Sequence, residues 1–169
     1  MSAASATLKD ALSVATRAHY QRYVATHPGE SYYGYSLYTD DDVSSIGPAA
    51  TRASGISVSP SDPMWVCYKF GPHEWRDFDD FGLFTEVNAI LKELYRSLDF
   101  ASYRTQSLQA AYDALRDLEA EGLFGPRSEN RYVVLWLSDS SDPIMEKAAR
   151  EFNCPTVYAA FAKEYGTAI

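Results

Sequence analysis

Residues 32–50 read YYGYSLYTDDDVSSIGPAA, and this stretch predicts a β-hairpin. In residues 32–39, Gly34 and Ser36 alternate with large side chains, as on a half-buried strand. The face that we expect to be buried carries Tyr33, Tyr35 and Leu37. Three successive aspartates follow, and their side chains suit a reversal of the chain because they bond to nearby backbone amides. Residues 43–47 then return as an antiparallel strand, with Pro48 marking its end or a sheet edge.

The remaining elements follow from apolar periodicity. Apolar residues spaced by three and four predict helices near residues 5–26, 84–98, 108–118, 143–152 and 157–165. Gly122 is expected to end the third of these helices, and Asp142 to cap the fourth. Residues 64–70 alternate as a third strand, and residues 132–137, apolar on both faces, predict a strand in the centre of the sheet. The order predicts an α+β fold over one domain, residues 1–169: a mostly antiparallel sheet of about four strands with helices packed against it.

Composition excludes several classes of function. The net charge is −8, from 15 Lys and Arg against 23 Asp and Glu, so the surface repels phosphate backbones and anionic lipid. We therefore expect no nucleic-acid and no membrane partner, whereas a cationic protein would be attracted. No apolar run approaches the roughly 20 residues that a membrane span needs. The first residues lack a basic region followed by an apolar stretch, so we expect a cytoplasmic protein.

Acidic and aromatic residues are concentrated in three predicted loops, around residues 40–42, 71–82 and 138–142. Consecutive aspartates on a strand point to opposite faces, and the calcium-loop spacing is absent, so a solvated turn is favoured over a metal site. No cofactor or metal is expected. Aromatic rings beside carboxylates at loop rims suit a protein interface. The candidate partner-binding residues are Tyr38, Asp40, Asp41, Asp42, Trp75, Asp77, Asp79 and Asp80.

Motifs for common enzyme chemistry are missing from the sequence. There is no Gly-x-Ser-x-Gly elbow, no phosphate-binding glycine loop and no dinucleotide fingerprint. His73-Glu74 lacks the second histidine of a helical zinc site. His19 falls on the apolar stripe of the first helix, where a core histidine bonded to a tyrosine or a backbone carbonyl is favoured over a catalytic base.

A family resemblance rests on the run from Tyr33 to Val43 together with Pro48-Ala-Ala-Thr51. His73-Glu-Trp75 and Phe84-Thr-Glu-Val-Asn88 follow in the expected order, so the similarity spans most of the chain. These residues resemble an uncharacterised bacterial family, domain of unknown function family 4303. The resemblance implies a compact α+β domain and no established reaction. Small acidic families of this sort are similar to the immunity proteins encoded beside interbacterial toxins.

Two functions are therefore open at this stage. The first is a protein-binding module, an immunity protein that neutralises a cognate toxin by covering it with an acidic, aromatic-rich surface. The alternative is an enzyme that uses the loop carboxylates, with or without a divalent metal, as acid, base or ligands. Homodimerisation through an exposed aromatic patch is compatible with either function.

Overall fold

The computed structural model describes residues 3–166, with side chains from residue 5 onward. The helices are α1 Ala3–Thr26, α2 Trp65–Phe70, α3 Thr85–Ser97, α4 Phe100–Ala120, α5 Pro143–Phe152 and α6 Pro155–Tyr165. The strands are β1 Tyr32–Thr39, β2 Ile46–Arg52 and β3 Tyr132–Leu137. Single 3-10 turns span Ala53–Gly55 and Pro72–Glu74. The α+β class is confirmed, and every helix and strand of the described part contributes to the buried apolar core.

The sheet is smaller than predicted and mixed. Its three strands, within residues 3–166, run in the order β2-β1-β3. β1 pairs antiparallel with β2 and parallel with β3, so the prediction of about four mostly antiparallel strands was only roughly correct. The predicted central strand, residues 132–137, is covered on both faces but lies at one edge of the sheet, and β1 takes the centre. β1 is accordingly buried on both faces and not half-buried.

Residues 64–70, predicted as a strand, contain helix α2 instead. The helix buries Phe70, whose ring lies 5.2 Å from that of Tyr132 on β3 and 6.4 Å from that of Phe161 on α6. A short apolar run is compatible with a strand or with a helix. Here the run is helical, and Phe70 packs between β3 and α6.

The hairpin forms with a longer turn than predicted. β2 begins at Ile46 and not at Val43, because Val43 takes a left-handed conformation with a φ of 56° that no strand accommodates. Pro48 lies inside β2 and opposite Leu37, on an outer strand of the sheet, where proline is tolerated.

The predicted helices are confirmed. α4 ends at Ala120, two residues before the predicted Gly122, which has a φ of 78° and follows the capping residue Glu121. The Leu123 N–H donates back to the Leu118 carbonyl at 3.1 Å. Asp142 caps α5, since its carboxylate accepts the Ile144 N–H at 2.9 Å.

Helices cover both faces of the sheet. On one face α1 packs with α3 and α4, and His19 and Tyr20 of α1 contact the Tyr35 ring. On the other face α2 and α6 contact Tyr132. α5 lies along β3, and the Asn153 side chain just beyond it bonds to the backbone N–H and C=O of Val133. This arrangement leaves the loops after β1 and β3 at one end of the molecule.

Candidate functional site

The loops after β1 and β3 leave the sheet from the same edge, because the two strands are parallel neighbours. Crevices outside the carboxyl ends of parallel strands are the usual binding places of α/β sheets. Arg104 of α4 joins the two loops: its Nε donates to the Asp41 carbonyl and its Nη1 to the Asp142 carboxylate, each at 2.8 Å. We call residues 40–45 and 138–142 the strand-end surface. Two of the three predicted acidic loops therefore lie together.

The three aspartates of the first loop have different surroundings. Asp40 bonds through its carboxylate to both the backbone N–H and the hydroxyl of Ser44, which fixes the turn. Asp41 is half-buried and presents its carbonyl to Arg104, whereas Asp42 is exposed. Asp42 is thus the carboxylate of this turn that a partner reaches most readily.

Two exposed aromatic side chains share a crevice with the turn. Tyr95 of α3 is 59% exposed and Phe100 of α4 is 47% exposed. Both line a crevice of about 350 Å³, together with Asp42, Ser44, Asn88, Lys92 and Tyr103. Exposed rings beside carboxylates are typical of interface anchors. Sequence reasoning missed both residues, although Phe100 directly follows the capping residue Asp99.

Tyr38 lies on the face of the sheet that α2 and α6 cover, where it pairs with Trp136 of β3. It is half-buried, and its ring contacts Phe78 edge-on with the ring centres 5.8 Å apart. Phe78 is itself 42% exposed. Tyr38 therefore borders the strand-end surface without projecting fully from it.

Trp75, a predicted anchor, is a core residue. It is only 4% exposed, and its indole N–H donates to the Tyr68 carbonyl at 3.1 Å. Its ring lies over Gly34 of β1. Trp75 is thus not accessible to a partner.

The third acidic loop runs beside β2 and not at the strand-end surface. Asp77 pairs with Ala50, near the middle of the strand, and its carboxylate accepts the Tyr23 hydroxyl at 2.6 Å. Asp79 and Asp80 each accept the N–H of the residue two positions further on, at 2.8 Å. The carboxylates of Asp79 and Asp80 stabilise their own loop, whereas that of Asp77 joins the loop to α1. Asp79 is the exposed member of the three.

His19 is a core residue, as predicted. It is 1% exposed, with Nδ1 3.0 Å from the Tyr35 hydroxyl and Nε2 2.9 Å from the Asp79 carbonyl. Because a carbonyl only accepts, Nε2 carries the proton and the neutral Nδ1 accepts from Tyr35. Burial lowers the pKa of His19, against the opposing effects of the hydrogen bond to Asp79 and of the Asp80 carboxylate. The ring joins α1, β1 and the third acidic loop.

Two further properties concern the described residues as a whole. Within residues 3–166, no group of three or more His, Cys, Asp or Glu side chains is arranged to hold a metal ion. No helix of that range has the length and apolar character needed to cross a bilayer.

Comparisons with known proteins identify the family alone. Neither the curated proteins nor the solved structures gave a match to this chain. A family model described as "Domain of unknown function (DUF4303)" matches residues 12–154, from the first helix to the residue before α6. The match covers the whole sheet and both loops of the strand-end surface, and the chain belongs to that family.

Proposed function

We propose that this protein is a binding module that captures a cationic protein, and that it acts as an immunity protein by covering the active surface of a toxin. The observation that carries the proposal is that the exposed Tyr95 and Phe100 line one crevice together with Asp42 of the acidic turn. Large aromatic rings that are left in water beside carboxylates are characteristic of energetic anchors in protein interfaces.

The charge of the chain supports a basic partner. A net charge of −8 produces a negative field around the molecule, and such a field accelerates the encounter with a cationic protein. At the strand-end surface, Arg104 already pairs with Asp142, whereas Asp42 and Asp139 are exposed carboxylates. Rim charges of this kind act chiefly on the association rate.

The immunity role rests on analogy with other small acidic domains that bind toxins encoded beside them. It requires the protein to bind and inhibit the product of an adjacent gene. The test is to express that product in a bacterial host with and without this protein. We expect growth to stop without it and to resume with it, together with a stable complex of the two purified proteins. A neighbouring product that is harmless, or that does not bind, would overturn the immunity role.

The surface itself is tested with a double variant, Asp42→Lys/Phe100→Ser. A matched control is Asp10→Lys/Val14→Ser on α1, which makes the same charge change and also removes an exposed apolar side chain; Val14 is 70% exposed. We expect the first variant to weaken binding by about 100-fold, through slower association and faster dissociation, and the control by less than about threefold. Equal affinities for the two variants would place the interface elsewhere.

A further inference from the structure

A second crevice opens at the end of the sheet where β1 and β3 begin, opposite to the strand-end surface. Its volume is about 430 Å³. Helix α2 contributes two side chains to it, and the other lining residues come from the starts of β1 and β3 and from the segment after β2. Crevices of this size with mostly apolar walls and a few polar groups are common ligand sites. The residues that matter for its chemistry are Tyr32, Ile56, Trp65, Lys69 and Glu129.

Lys69 of α2 places a positive charge in this crevice. The side chain is half-buried, and its Nζ lies 4.4 Å from the ring centre of Trp65, 5.3 Å from that of Phe70 and 5.9 Å from that of Tyr33. Phe70 and Tyr33 belong to the buried core, so the ammonium rests against the core. Aromatic faces attract cations within about 6 Å, and these rings therefore hold the ammonium in the crevice.

The Lys69 ammonium has no acceptor within the described part of the chain. It contacts the three rings there and makes neither a hydrogen bond nor an ion pair. Lys9, which is also half-buried, is by contrast paired with Asp117. An ammonium carries three N–H donors, and aromatic rings balance its charge without accepting these hydrogen bonds conventionally. A half-buried ammonium is therefore unfavourable unless water or a bound anion supplies the acceptors.

The surroundings of Lys69 also disfavour its charged form. Burial lowers the pKa of Lys69, against the opposing effects of the Glu129 carboxylate and of Cys154. Glu129 is exposed and forms no ion pair with Lys69. A carboxylate inside the crevice would lie in a less solvated region beside the ammonium, where opposite charges attract more strongly than at the surface. The crevice therefore favours an anionic ligand over a neutral one.

The walls beside Lys69 are apolar. Tyr32, Ile56 and Trp65 are half-buried, so part of each side chain is accessible from the crevice. Covering such surfaces with the apolar part of a ligand is favourable in proportion to the area that is removed from water. The crevice thus combines one cation with an apolar wall.

We propose that this crevice binds a small-molecule carboxylate that carries an aromatic ring, with the carboxylate on the Lys69 ammonium and the ring against Ile56 and Trp65. Charge-assisted hydrogen bonds from the ammonium hold the carboxylate. Inorganic phosphate would leave the apolar wall uncovered. Binding here is independent of the proposed immunity function, because the strand-end surface lies at the other end of the sheet.

The probe is 4-phenylbutyrate, which is titrated into ¹⁵N-labelled protein. The three tryptophan indole N–H signals are followed by NMR, with assignment by single Trp→Phe variants. The control is 4-phenylbutanamide, which keeps the shape of the probe and lacks its charge. We expect the carboxylate to shift the Trp65 signal in a saturable way and to leave that of the buried Trp136, at the other end of the sheet, in place. No shift at Trp65, or an equal shift with the amide, would overturn the proposal.

Acetate and inorganic phosphate test whether the ring of the ligand matters. Both are anions without an apolar part, and we expect each to bind at least about fivefold more weakly than 4-phenylbutyrate. Equal affinity for either of them would overturn the assigned ligand class.

Lys69→Met tests the cation, because it removes the charge and keeps a long apolar side chain. We expect it to weaken binding of 4-phenylbutyrate by at least about tenfold. The matched control, Lys92→Met, makes the same charge change at an exposed residue of α3, on the other face of the sheet, and should weaken binding by less than about twofold. An unshifted Trp136 signal reports that each variant is folded. Equal weakening by both variants would reduce the effect to net charge and overturn the site.

Glu129→Gln tests the position of the bound anion. Because Glu129 interacts with Lys69 and repels a second carboxylate, we expect its removal to tighten binding by about two- to threefold. Glu86→Gln makes the same charge change at an exposed residue of α3 and should tighten binding by less than about 1.5-fold. Equal tightening by both variants would place the carboxylate away from Lys69 and overturn the proposal.

Discussion

The indole ring of Trp75 lies directly over Gly34: a Cβ atom at residue 34 would be 2.5 Å from Cη2 of that ring. This contact places the segment after the second 3-10 turn against the central strand. We therefore expect Gly34→Ala to force the tryptophan out of its position and to lower the free energy of unfolding by about 1–3 kcal/mol. Urea denaturation followed by tryptophan fluorescence measures the change. Gly47→Ala, on the neighbouring strand with nothing within 4 Å of the added atom, is the control and should stay within about 0.5 kcal/mol.

Arg131 and Glu119 form a buried ion pair that fastens α4 to the start of β3. Their side chains are 8% and 6% exposed, and Arg131 also donates to the Phe152 carbonyl. Arg131→Met leaves the Glu119 carboxylate buried with only the half-exposed Arg127 as partner, so we expect a loss of about 3 kcal/mol in chemical denaturation. Arg131→Met/Glu119→Met should regain most of it, because the uncompensated charge is gone. A double variant no more stable than Arg131→Met would contradict this account.

The Asn153 side chain bonds to the backbone of the edge strand β3 at Val133. Its side-chain amide, 3% exposed, accepts the Val133 N–H at 2.8 Å and donates to the Val133 carbonyl at 2.7 Å. Asn153→Ala leaves both backbone groups buried without partners, and we expect a cost of about 3 kcal/mol in thermal or urea unfolding. The exposed Asn130→Ala is the control, with an expected change within about 0.5 kcal/mol. Similar values for the two variants would show that water replaces the amide.

His19 makes stability depend on pH. Burial holds the pKa of His19 below its ordinary value of 6.5, while Asp79 and Asp80 oppose the shift and Arg22 adds to it. Below about pH 6.5 the unfolded chain binds a proton that the folded chain does not, so the free energy of unfolding falls as the pH falls through that range. His19→Gln lacks this proton uptake.

The measurement is the free energy of unfolding between about pH 8 and pH 5. We expect a shallower decline in His19→Gln than in the unchanged protein, since the carboxylates common to both contribute equally. The exposed His73→Gln controls for the removal of an imidazole at another place on the chain. Parallel curves for all three proteins would show that His19 does not contribute to the pH dependence of stability.

Local sequence signals were sufficient for most of the fold. The long helices carry apolar stripes, and Gly122 and Asp142 carry end signals that need no tertiary information. Residues 64–70 were misread because α2 is six residues long, too short for a helical period to be distinguished from alternation. The parallel pairing of β1 with β3 joins strands about 90 residues apart, and nothing local encodes it.

Only part of the candidate site could be predicted, because the rest depends on contacts between segments that are distant in the sequence. The turn at residues 40–42 was recognised from its composition, and the structure brings it to the loop after β3. Trp75 was misplaced because its burial depends on the absence of a side chain at Gly34, a contact between distant segments. Tyr95 and Phe100 were not singled out, since exposure becomes visible only once the helices and strands are packed.

The bridge made by Arg104 has a consequence for the energetics of association. The Arg104 guanidinium bonds both to the Asp41 carbonyl and to the carboxylate of Asp142, the capping residue of α5. The two loops are therefore held in a fixed relative position before a partner binds. A surface that is already rigid loses little conformational entropy when it is covered, so more of its contact energy is expressed as affinity. We expect Arg104→Gln to keep every side chain of the proposed interface and still to shorten the lifetime of the proposed complex, measured as a faster dissociation rate.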